Sequence, residues 1–408
     1  MKTVLLVGTY DTKQEELAFL EEVITAQGAQ VLSMDVSVLG NTSHEVGVTK
    51  HDVAAAAGQD IQSIIDLGDE YQAMCKMAEG ASALTLELFE AEKFDGLLVL
   101  GGSMGTDLAL DCAASLPLGI PKYIVSTISF SPLIETSRIA PDVQMILWAG
   151  GLYGLNSVCK SSLSQAAGAV VGACHASVRP TFDRPMIGMV SLGKSCLQYM
   201  AHLKPELEAR GFELVVFHAT GMGGRAFEGL AAKGMFVCVF DFCMQELTNA
   251  MLGSVVSAGD DRLTNAGAKG IPQLVAPGAS DLVDFPSWHV PEKYQDREIH
   301  PHNRLISSSR VTTDERRLVA RAIGERLKLA SGPVTFLMPT QGIEEWDRPG
   351  QDMHDPEGLS AFVEAAREAV VPPVNYLEID AHINDVEFSR AALEVFDDWL
   401  ARGIVRKG

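Results

Sequence analysis

Residues 94–110 read FDGLLVLGGSMGTDLAL, and this stretch decides the fold. Phe94–Gly101 suits a buried strand, and the apolar positions after Gly105 suit a helix. Between them lies Gly101-Gly102-Ser103-Met104-Gly105-Thr106. Glycines there let backbone amides approach a phosphate, and Ser103 and Thr106 bring hydroxyls. The spacing is not GxGxxG, so it does not announce a dinucleotide.

The same alternation extends in both directions, as expected of parallel α/β architecture. Upstream strands are expected at Val4–Gly8 and Gln30–Val36, with Lys122–Ser126 and Val143–Ala149 following. Helices fit Thr12–Gln27 and Ala73–Lys93. The small apolar run Ser161–Ala176 suits a tightly packed helix or a subunit contact. Residues 177–185, SVRPTFDRP, break the composition and read as a linker. Strands then resume at Met186–Leu192, Glu213–His218, Met235–Asp241, Pro272–Ala276, Val334–Met338 and Asn375–Ile379. Residues 279–312 read as a long functional loop or arm. The expected organisation is two doubly wound α/β domains with mainly parallel sheets, residues 1–180 and 181–408.

Composition narrows the function. The 408 residues carry 32 Lys+Arg against 53 Asp+Glu, a formal charge of −21. That balance argues against nucleic acid and anionic membrane surfaces as partners. The N-terminal apolar run, Val4–Val7, is too short for a signal-peptide core or a membrane span. Seven scattered cysteines without a CxxC fit reduced thiols of a cytoplasmic protein.

Three further stretches bear on chemistry. In VLLVGTYDTKQEE (4–16) a strand ends at Gly8 and a helix starts near Thr12. Its free amides and Lys13 form an anion site, with Asp11 beside them. The alternative is a capping box, Thr12-x-x-Glu15, which needs no ligand. In VVFHATGMGGRAFEGLA (215–231) the strand–glycine–helix logic recurs with His218, Gly223, Gly224 and Arg225. Arg225 opposes the helix dipole and so aims at an anion, or is a surface arginine at a glycine turn. Residues 188–195, GMVSLGKS, match GxxxxGK[ST], but the strand there includes Gly188–Leu192, which leaves no phosphate loop. Lys194 and Asp281 remain candidates to line a pocket of the second domain. His289, His300, His302, His354 and His382 lie near acids without a recognised zinc spacing, so no metal is assigned.

With GTYDTK, LGGSMGT, GIPKYIVST, VFHATGMGGRA and HINDVEF in this order, the chain resembles the Tm-one-like ATP-binding-domain family from Val4 to about Leu400. The resemblance implies two Rossmann-like domains, a homodimer, and ATP in the first domain; with ATP there, Asp11 could hold a ribose hydroxyl or Mg²⁺. Carried over by position, Asp11, Thr12 and Lys13 and Gly102, Ser103, Met104 and Gly105 would contact nucleotide. Gly101 and Thr106 frame the second loop. Glu70 stands where the family commonly has arginine, and a family hydroxyl residue aligns near Val38. The leading expectation is a nucleotide-binding protein. A competing one is an enzyme acting on a small anionic metabolite between the domains, using Lys194, His218, Arg225 and Asp281 with ATP as co-substrate or regulator. A third is a nucleotide-dependent protein-binding module.

Overall fold

The computed structural model describes residues 1–193, 195–196 and 198–407. The chain divides into two compact units, residues 1–181 and 182–408.

In the first unit five strands form one parallel sheet: β1 (Thr3–Gly8), β2 (Gln30–Asp35), β3 (Gly96–Gly101), β4 (Lys122–Ser126) and β5 (Val143–Leu147). Their order is β2-β1-β3-β4-β5. The alternating pleat sends side chains to two cores. Leu5, Val7, Leu97 and Val99 pack with the helices Glu70–Glu90 and Ser103–Ser115. Val4, Leu6, Leu98 and Leu100 pack with the helices Gln14–Ala26 and Ser157–Ala176. Both faces are therefore covered, which is why the strands read as unbroken apolar runs.

The second unit holds β6 (Met186–Ser191), β7 (Glu213–His218), β8 (Cys238–Cys243), β9 (Gln273–Gly278), β10 (Leu282–Pro286), β11 (Ile299–Pro301), β12 (Ile306–Arg310), β13 (Val334–Pro339) and β14 (Asn375–Ile379). Six of them form a parallel sheet in the order β14-β13-β9-β8-β6-β7. The architecture is α/β, with two mainly parallel Rossmann-like sheets. Gly188 lies inside β6, where an added Cβ would stand 2.9 Å from the Phe236 ring, so residues 188–191 are strand and not the start of a phosphate loop.

The reading of residues 279–312 as a loop or arm is corrected. β10, β12 and β11 build a three-stranded antiparallel sheet. Its central strand, ISSSR, has no apolar alternation to announce it. The serines Ser307–Ser309 are nonetheless buried, and Ser308 donates to Asp284 at 2.5 Å.

Candidate functional site

β1 and β3 are adjacent, but their following helices lie on opposite faces of the sheet. A crevice must open at their carboxyl ends. A cavity of about 640 Å³ occupies that place. Thr9, Asp11, Thr12 and Lys13 line it from the loop after β1, and Gly101–Gly105 from the loop after β3. The structure thus brings together the two loops singled out from sequence.

Two helix starts at this crevice lack side-chain caps. Gly102 is the N-cap of Ser103–Ser115 and has no side chain to offer. Lys13 is the N-cap of Gln14–Ala26, and its side chain caps nothing. The capping-box reading of Thr12 and Glu15 is therefore corrected: the Thr12 hydroxyl meets Thr9 Oγ1 at 3.0 Å, and the helix begins at Gln14. Free amides remain at both starts, together with the positive ends of two helix dipoles.

Gly101 has a packing role. A Cβ there would stand 2.5 Å from Gly105 Cα, so its absence lets the helix start close to the sheet. At Gly102 the nearest atom to an added Cβ is Thr127 Oγ1, 3.8 Å away. Thr106 does not face the cavity: its buried hydroxyl donates to the Gly102 carbonyl at 2.7 Å and meets Ser126 Oγ at 2.6 Å. Lys13 Nζ stands 5.8 Å from the Tyr153 ring centroid. Asp11 accepts from Gly40 N at 3.1 Å.

Sequence reasoning missed the rest of the wall. Val36, Leu39, Ile65, Ala73, Met74 and Met77, with the Val38 already noted, add apolar lining to the cavity. Asp35, at the end of β2, accepts from Tyr10 N at 3.1 Å and Ser37 N at 2.9 Å, tying two loops together. The buried Lys50 ammonium donates to the carbonyls of Val38 (3.3 Å) and Gly40 (2.7 Å). None of these residues carries a local motif. Asp69 caps the helix that Glu70 opens, and both line the cavity, making its rim acidic.

Among the described second-unit candidates, Gly224 and Arg225 already have partners within the protein. The Gly221 and Gly224 amides both donate to Glu246, so an internal carboxylate already occupies that turn. Burial pushes the Glu246 carboxyl up to about 7, against the opposing pull of Arg262. Arg225 pairs with Asp261. Gly223 backs onto the His218 carbonyl, where a Cβ would have no room. His218 is exposed at the end of β7, and Asp281 is buried after β9. Lys194 lies outside the described residues. Asp241 forms a buried pair with Arg262, which also reaches Glu228 and Glu246.

The histidines bind protein atoms or stack. His382 Nε2 is 2.9 Å from the Glu344 carbonyl and 3.0 Å from Asp347 Oδ1. His354 meets the Asp347 carbonyl at 2.7 Å, and His300 and His302 lie against Trp346. Among the described residues no three His, Cys, Asp or Glu side chains are placed to hold a metal ion.

Two family models cover nearly the whole chain. Residues 2–179 match the N-terminal domain, and residues 184–400 the C-terminal domain, of the uncharacterised protein family UPF0261. The chain belongs to the UPF0261 family. A UPF0261 protein of Brucella melitensis is 56% identical over 406 residues, covering 99% of this chain and 97% of that one. A Clostridium tetani member is 33% identical, covering 96% of this chain and 97% of that one. The ToMV resistance protein Tm-1(GCR237) of Solanum lycopersicum is 32% identical over 429 residues, covering 96% of this chain and 55% of its own. This supports the resemblance drawn from the motifs. Among solved structures, Acinetobacter baumannii MurG overlaps 99% of this chain and 92% of its own at 10% identity and TM-score 0.24, too low to bear on function. Among the described residues of this UPF0261 chain, no helix is long and apolar enough to cross a membrane.

Proposed function

We propose that the N-terminal unit of this UPF0261 protein binds ATP in the crevice between β1 and β3. One observation carries the reading: a single cavity is lined both by two uncapped helix starts and by an apolar wall. Phosphates suit the first and a purine base the second. The amides of Ser103, Met104 and Gly105 and the Lys13 ammonium would take the phosphates. Val36, Val38, Ile65 and Met74 would enclose the base. Mg²⁺ would enter with the phosphates rather than be held beforehand, since it keeps most of its waters and needs only one or two carboxylates. Asp11 and Asp69 lie at the rim to meet it.

Titration calorimetry with ATP, with and without Mg²⁺, tests this on the wild type and on Lys13→Ala and Gly102→Asp. Binding by the wild type and its loss in both variants are expected. A wild type that takes up no heat from ATP overturns the assignment.

We also infer a cytoplasmic homodimer. The seven cysteines are all free thiols, as a reducing compartment requires. Light scattering should then give twice the 43.8 kDa chain mass.

A further inference from the structure

The carboxyl end of the second parallel sheet carries a polar cluster that the nucleotide reading does not use. Asp281 follows β9, Glu344 follows β13 and Asn384 follows β14, so three loops deliver it to one sheet edge. The side chains are 0%, 0% and 4% exposed. Neither Asp281 oxygen accepts a hydrogen bond, nor does Glu344 Oε1 or Asn384 Oδ1. The loops are bound to one another. Asn384 Nδ2 donates to the Ser195 carbonyl at 2.8 Å, Glu345 N donates to the same carbonyl at 2.9 Å, and His382 Nε2 lies 2.9 Å from the Glu344 carbonyl. Glu344 itself uses Oε2 to accept from Trp346 N at 2.8 Å, leaving its other oxygen over.

These four orphaned atoms are acceptors, and two belong to one carboxylate. Burying a carboxylate without donors is among the most expensive arrangements in a fold, so native examples call for a missing partner. Arg316 compensates incompletely: its Nη2 lies 3.8 Å from Asp281 Oδ2, and the same atom is bonded to Asp355 at 3.2 Å. Asp347 adds a further nearly buried acid. Among the described residues the acids thus exceed the cations there. Asp347 and Asp355 also line a neighbouring cavity of about 380 Å³.

We propose that Asp281, Glu344 and Asn384 form a cation site in the C-terminal unit, taking a compact positive charge among oxygen donors. Two carboxylates and an amide oxygen are the donor chemistry of hard cations. The same set would hold the ammonium head of an organic ligand, which offers three donors to the same acceptors. The site is separate from the nucleotide crevice and needs no nucleotide.

The test uses the full chain, stripped with a chelator and free of nucleotide, at constant ionic strength. Melting and calorimetry are followed with MgCl₂, CaCl₂ or KCl alone, and separately with methylammonium chloride alone. At saturation one of them should raise the wild-type midpoint by about 5 °C. A response in the metal arm identifies a metal site, and one in the methylammonium arm an organic-cation site. Asp281→Asn and Glu344→Gln should each abolish the shift, and without cation each should melt at or above the wild type. Gly102→Asp should leave the shift intact, which separates this site from the nucleotide reading. No response in either arm overturns the proposal, and so does a shift that survives both carboxylate substitutions. Where a variant fails to fold, a wild type without a response in either arm still overturns the proposal, and the remaining carboxylate variant locates the site.

Discussion

Gly101 and Gly105 approach so closely that a Cβ on the first would lie 2.5 Å from the Cα of the second. The contact sets the helix Ser103–Ser115 down at the end of β3 with its first amides directed at the crevice. Gly102, between them, has room for a side chain, with Thr127 Oγ1 the nearest atom at 3.8 Å from an added Cβ. Neighbouring glycines therefore do different work.

Gly101→Ala should destabilise the first unit by about 1–3 kcal/mol, because the clash is with backbone that cannot turn aside. Gly102→Asp should leave the melting temperature unchanged or slightly raised, since aspartate is at least as good an N-cap as glycine. The new carboxylate would take the amides proposed for phosphate. ATP affinity should fall by about 100-fold, the size of a lost charge-assisted contact plus added repulsion. Melting scans beside calorimetry separate the two effects.

Lys50 holds the loop that forms the apolar side of the crevice, through the carbonyls of Val38 and Gly40. Lys50→Met keeps much of the volume and removes the donors. A stability loss of about 1–3 kcal/mol is expected. Nucleotide affinity should weaken about tenfold as Val38 and Leu39 lose their fixed positions. Unchanged affinity would show that this loop does not touch the ligand.

Glu70 opens the helix Glu70–Glu90 at the acidic rim. Glu70→Arg reverses one charge near the proposed phosphates. Affinity for ATP should rise about tenfold at low salt and the gain should shrink as salt is added, the behaviour of a solvent-exposed charge. AMP should gain less than ATP.

Glu246 supplies a pH dependence. Its carboxyl stands at about 7, above the ordinary value of 4.5, chiefly through burial. A raised folded value means the folded chain binds the extra proton between these limits. Its contribution is then greatest below about 4.5 and declines as pH rises to about 7. Glu246→Gln keeps an acceptor for the Gly221 and Gly224 amides and removes the titration. The variant should melt with a flatter pH profile over that window, by an amount on the order of 3 kcal/mol. Arg262→Met should be far more harmful, because it strands Asp241, Glu228 and Glu246 without their cation.

Local pattern was enough for the strands that carry the sheets. Val4–Gly8 and Leu97–Gly101 are uncharged runs ending in glycine, and the structure ends β1 and β3 at those glycines. Ser307–Ser309 show the limit. A strand that buries hydroxyls against Asp284 and its partners has no apolar period, so the small antiparallel sheet was invisible. Thr12 and Glu15 show another. Their spacing satisfies a capping box, but a competing contact with Thr9 moves the helix start by two residues.

The sequence by itself determined the α/β class, the break near residue 180, and the two loops that meet at the β1/β3 crevice. These depend on contacts within a few residues, where chain connectivity keeps the partners together. Only the tertiary structure decided what surrounds them. The wall from Val36 to Met77, the Lys50 clasp, the Glu246 carboxylate in the Gly221 turn and the orphaned Asp281 join residues distant in the chain. Whether a buried charge finds a partner depends on which loops the sheet order brings to one edge, and no local spacing records that order.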